Sequence, residues 1–113
     1  MGEWKHLPAV TLTGTAVTQA TATSKLVRQV IVYNPGSENP TTTNAECIFW
    51  GGSTMDHTSD LACQPIVPGQ SAAVYNEPGG TNKQEYFNLS TLYLQAATGS
   101  PALTAIVSYY DED

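Results

Sequence analysis

Positive charge is what this chain lacks most. Ten Asp plus Glu face only four Lys plus Arg (Lys5, Lys25, Arg28 and Lys83), a formal charge of −6 over 113 residues. The four are scattered, whereas a nucleic-acid partner needs a positive footprint that displaces counterions from phosphates, so no nucleic-acid partner is expected. Charge of either sign is scarce, at 12% of residues, about half the ~25% of an ordinary soluble domain. No apolar run approaches the ~20 residues of a membrane-spanning helix, and no membrane partner is expected. The N-terminal residues lack the basic start and apolar stretch of a signal peptide, so export by that route is not expected either. Large aliphatic residues are few as well: Leu, Val, Ile and Phe sum to 22 of 113. That is close to the level at which chains fail to build a core, and six Tyr and two Trp must supply the rest. A core this thin leaves apolar surface to be buried against other subunits.

Hydroxyl groups take the place of the missing charges, with 15 Thr and 8 Ser. They alternate with small or apolar residues through positions 10–13 and 15–23, the period-two pattern of half-buried strands, with Gly14 marking a bend. Residues 26–33 form the clearest strand, closed by the turn chemistry of Asn34-Pro-Gly36. Further strands are expected at 45–50, stopped by Gly51-Gly52, and at 63–67, 71–75, 84–88, 91–96 and 103–110, with Pro68-Gly69 as a tight turn. Residues 37–44, 53–62 and 76–83 read as loops. No segment as long as ten residues has helical period. About eight short strands separated by Gly, Pro and Asn turns predict an all-β, single-domain antiparallel β-sandwich of jelly-roll type. Residues 1–7 are expected as an N-terminal arm, 8–110 as the sandwich, and 111–113 as a solvated acidic tail.

Reactive groups are sparse. Ser53, His57 and Asp60 have the residue types of a catalytic triad, yet all fall in one loop, where a triad needs rigid placement. Gly52-Ser53-Thr54 also lacks the glycine two residues after the serine that a nucleophile elbow requires. Asp56, His57 and Asp60 could touch a divalent ion, but His6, the other histidine, is remote in sequence and no dense ligand spacing exists. A solvated loop is the simpler reading; no catalytic residue, metal or cofactor is expected. Cys47 and Cys63 are the only cysteines. They leave two readings: a disulfide, if neighbouring antiparallel strands bring them together, or reduced thiols buried as small hydrophobes. Asn88-Leu-Ser90 fits the glycosylation sequon, a chance match without a secretory signal. Trp4 stands exposed beside Lys5 and His6, and neighbours Tyr109 and Tyr110 must point to opposite faces of one strand. These five residues are the expected subunit or partner interface, and their apolar surface predicts a homotrimer.

The order of the motifs carries a resemblance. Thr-rich residues 15–23, then Val30-Ile-Val-Tyr-Asn34, Ile48-Phe-Trp-Gly-Gly-Ser53, Ile66-Val-Pro-Gly69 and Leu92-Tyr-Leu-Gln-Ala-Ala-Thr-Gly99 follow one another as in a widespread group of small tailed-bacteriophage virion proteins. The chain resembles that group over roughly residues 10–108. The resemblance implies a structural, non-enzymatic protein: a head decoration (cement) protein, assembled in the host cytoplasm, that sits on the outer capsid surface as a trimer and binds the major capsid protein. A phage tail or host-adhesion component binding cell-surface glycan is the alternative it leaves. The long 37–44 loop, the 76–83 loop and the acidic tail depart from the group's pattern.

Overall fold

The computed structural model describes residues 2–36, 44–58, 61–76, 86–98 and 102–111. The expected 37–44 loop apart from Asn44, the expected 76–83 loop apart from Asn76, the expected tail beyond Asp111, and Asp60 lie outside the described residues. Eleven strands run through the described residues: β1 (Glu3–His6), β2 (Val10–Leu12), β3 (Thr18–Gln19), β4 (Leu26–Val27), β5 (Gln29–Tyr33), β6 (Ile48–Asp56), β7 (Leu61–Ile66), β8 (Ser71–Asn76), β9 (Phe87–Asn88), β10 (Tyr93–Ala96) and β11 (Leu103–Asp111). No α-helix occurs among them; a single 3₁₀ turn, Leu89–Thr91, is capped by the Asn88 side chain, which accepts from the Ser90 N–H.

Every strand pairing is antiparallel. One sheet has the order β1-β11-β5-β8, with β2 also paired to β11; a second has the order β3-β10-β6-β7; β4 and β9 form a two-stranded ladder. Alternation places Val30 and Val32 of β5 and Leu103, Ala105 and Val107 of β11 inward. There they form one buried cluster with Ile48, Ile66, Leu94 and Ala96 of the second sheet. Two antiparallel sheets sharing one apolar core are compatible with a β-sandwich.

The bends follow from identifiable residues. Gly14 has φ 64°, a left-handed conformation that glycine adopts without strain, between β2 in one sheet and β3 in the other. Pro68-Gly69 makes the expected tight turn, with Gly69 at φ 86° and the Gln70 N–H donating to Val67 O at 3.1 Å, the pattern of a type II turn.

Three expectations need correction. The strand expected at 26–33 is broken at Arg28, because the chain changes partners there: β4 pairs with β9, while β5 enters the larger sheet. Arg28 marks the corner, its Nε donating to the Tyr86 hydroxyl at 2.9 Å. Gly51-Gly52 does not stop a strand. β6 runs through it, and the register against β7 shifts between Gly51 and Asp56, so the glycines sit at the start of an irregular stretch and the expected loop at 53–62 is largely hairpin. The Asp56 carboxylate turns that hairpin by accepting from the Thr58 N–H (3.0 Å) and hydroxyl (2.7 Å). The expected arm at 1–7 is, over Glu3–His6, an edge strand in register with β11. All four of its residues are exposed, so no apolar alternation betrays it in the sequence.

Polar side chains lock the chain ends of these strands. Asn34, fully buried, donates through Nδ2 to Ile66 O (2.7 Å) and Glu46 O (3.2 Å). Its Oδ1 accepts from Asn44 Nδ2 at 2.6 Å. Asn44 in turn donates to Thr104 O (2.6 Å) and accepts from the Thr104 N–H (3.0 Å). Removing the Asn34 amide deprives three groups on two segments, Asn44 Nδ2, Glu46 O and Ile66 O, of their bonds, at about 1–3 kcal/mol for each group left buried. Asn34→Ala is therefore expected to lower unfolding stability by roughly 2–4 kcal/mol. Chemical denaturation of Asn34→Ala, Asn44→Ala and the double variant should also show losses that do not add, since the two amides share a bond.

Candidate functional site

The five residues expected at an interface meet along β1 and the end of β11. Register pairs Trp4 with Tyr110, Lys5 with Tyr109 and His6 with Ser108. The two tyrosines do point to opposite faces: Tyr109 packs against the core, while Tyr110 meets Trp4 edge-on, with ring centroids 5.8 Å apart and planes at 70°. Trp4 remains 48% exposed. Beside it the outer face of the sheet holds a cleft of about 80 Å³ lined by Trp4, Gln29, Ile31, Ala73 and Tyr75. Gly2 lies so close to the Tyr110 ring that a Cβ there would collide with it, which is a reason for glycine at the start of the strand.

On the inner face of the same strand pair, Asp111 is buried and takes two ammonium groups, Lys5 Nζ at 3.0 Å and Lys25 Nζ at 3.4 Å. Asp111 is thus a structural ion-pair acceptor at the end of β11 and not part of a solvated tail. The hydrogen bond and charge of Asp111 raise the Lys5 pKa above its ordinary 10.5. Folded-state stabilisation from a raised lysine pKa is complete below the unfolded value and is lost as pH rises through the folded one. Lys5→Met should therefore be less stable than the parent at neutral pH, and the gap should close as pH climbs past 10.5, read by thermal unfolding across pH.

Among the described residues the other candidate groups do not assemble. Ser53 is exposed on β6 and makes no hydrogen bond to His57, whose ring packs on Phe49 with centroids 5.2 Å apart. His57 Nδ1 is buried with no hydrogen-bond partner. Among the described residues no three His, Cys, Asp or Glu side chains come together as a metal site would require. Asn88 is committed structurally: Oδ1 accepts from the Lys25 N–H and from the Ser90 N–H and hydroxyl, and Nδ2 donates to Ser24 Oγ.

Cys47 and Cys63 are both free. Cys63 stands opposite Gly51, whereas Cys47 precedes Ile48, the residue opposite Ile66. Four positions of strand therefore separate the thiols, about 13 Å at ~3.3 Å per residue, well beyond the ~7 Å limit for a disulfide. Thiol titration of the native protein without reductant should find two free thiols, and reductant should leave the unfolding midpoint unchanged.

Sequence reasoning missed the cavity of about 430 Å³ that opens between β6–β7 and β8–β9, lined by Trp50, Gly51, Cys63, Val74, Phe87 and Leu92. Its lining comes from four separated segments, so no local motif announces it. The buried Trp50 Nε1–H has no hydrogen-bond partner, but it is closed off from solvent and so does not face the open part of that cavity.

No protein-family model, no curated protein and no solved structure matches the chain.

Proposed function

We propose that this chain is a structural protein of a tailed-bacteriophage virion, a head decoration (cement) protein that binds the major capsid protein lattice from outside and stabilises the head without catalysis. The motif order described above supports the family reading. The observation that carries the binding face is the Trp4–Tyr110 contact: a half-exposed tryptophan is held at a fixed strand register beside an aromatic-walled cleft. Tryptophan is enriched among binding hot spots, and an anchor held before contact loses little entropy on docking.

The strand order further supports a jelly roll. With β1 and β2 taken as the first strand, β4 and β5 as the third, and β9 and β10 as the seventh, one sheet runs first, eighth, third, sixth, and the other second, seventh, fourth, fifth. That is the order produced by two interlocked Greek keys.

The test uses heads assembled from the major capsid protein of the same virion and stripped of this chain. Saturable binding and a higher rupture temperature are expected, with Trp4→Ala weakening binding at least about tenfold. Binding to host cells or glycans with none to heads would move the protein to the tail or adhesion class.

A further inference from the structure

The outer edge of β1 is complementary to itself, and we propose that two copies of this chain pair through it, antiparallel, about a twofold axis at Trp4. β1 ends the larger sheet, bonded on one side to β11 and to no described strand on the other. The Leu7 N–H donates to Val107 O at 2.9 Å, one position beyond the His6–Ser108 pair. In an antiparallel ladder hydrogen-bonded and non-hydrogen-bonded pairs alternate. Lys5 and Glu3 therefore bond to β11, while Trp4 and His6 turn their N–H and C=O groups to the free edge.

That parity selects the register. A twofold axis normal to the sheet keeps each face on its own side, so residues of equal parity must oppose one another. With Trp4 opposite Trp4 of the second copy, the outward groups of Gly2, Trp4 and His6 find complementary partners. Glu3 then stands opposite Lys5 on both sides of the axis. Each Lys5, already bonded to Asp111, gains a second carboxylate across the joint. An inward lysine on an edge strand deters casual pairing; in this register it meets a glutamate, which converts deterrence into selectivity. Moving the register by one residue on each strand sets Lys5 against Lys5, so the alternative is repelled. The paired edge leaves two Trp4–Tyr110 units side by side on one outer face.

The contact does not depend on the capsid reading, because it follows from strand geometry and charge. It involves about five residues a side and falls below the ~1,200 Å² of standard interfaces, so a reversible dimer is expected, dissociating on dilution through the micromolar range. Sedimentation and light scattering over that range should find it, and added salt should weaken it. Glu3→Lys, at an exposed position, places like charges together twice and should weaken the dimer at least about tenfold. His6→Pro removes an outward N–H that β11 does not use, and should weaken it similarly. Unfolding midpoints close to the parent in both variants confine the loss to the joint. A parent protein monomeric at every concentration, a trimer as the smallest associated species, or a dimer indifferent to both substitutions would each overturn the proposal.

Discussion

The buried pairing of Asn34 with Asn44 is the constraint on which the rest of this architecture leans. An amide offers an acceptor and two donors on one short stem, and Asn34 uses both kinds: it donates to main-chain carbonyls of Glu46 and Ile66 and accepts from Asn44. Asn44 extends the net to both main-chain groups of Thr104. The ends of β5 and β7, the approach to β6 and the start of β11 are tied at one dry point. In a chain with so few large aliphatic side chains, apolar contact alone specifies strand placement weakly, since one hydrophobe fits about as well as another. A satisfied polar net tolerates no such slippage, because each misplaced strand would leave a buried group without its bond.

β11 carries this order across the molecule. Its beginning belongs to the asparagine net through Thr104, its middle fills the core with Ala105 and Val107, and its end anchors Lys5 and Lys25 through Asp111. It pairs with β2 and β1 along one side and with β5 along the other. The position of Trp4 is therefore set by contacts whose chain of dependence reaches back to Asn34. Different chemistry suits the two ends. The dry end relies on neutral amides that need no compensating charge, whereas Lys5, at the other end, has 44% of its side chain exposed and an ammonium that water can still reach.

The parts legible in sequence were those whose signal is local. Period two in residues 29–33, the glycine at position 14 and the Pro68-Gly69 turn each depend on a backbone preference acting within a few residues, and each appears in the structure. What escaped depends on partners far along the chain. β1 has four exposed residues, so alternation cannot announce it, and only β11, about a hundred positions away, makes it a strand. Gly51-Gly52 looks like a stop because glycine weakens strands, yet it lies where β6 shifts register against β7. Asp111 reads as the first residue of a solvated tail until Lys5 and Lys25 are brought to it. Among the expected interface residues, the opposite orientation of Tyr109 and Tyr110 was deducible, since it follows from pleat alone. Their neighbours across the ladder were not.

Recasting the arm as a strand changes the energetics of anything that docks on Trp4. A free seven-residue arm would have to be ordered on binding, at about 1–2 kcal/mol per residue for the backbone, and that loss would consume much of what a single tryptophan contributes. In β1 the ordering is completed during folding, supported by the ladder to β11, the Tyr110 contact and the Lys5–Asp111 pair. The indole then forms one wall of the cleft that Gln29, Ile31, Ala73 and Tyr75 complete. A rigid anchor gains affinity mainly by lowering the cost of association, so a small face can suffice where many copies act together. In the proposed role the same rigidity also confers selectivity on the face. A partner must match a cleft whose walls come from β1, β5 and β8, three strands that the asparagine net and the shared core hold in one arrangement.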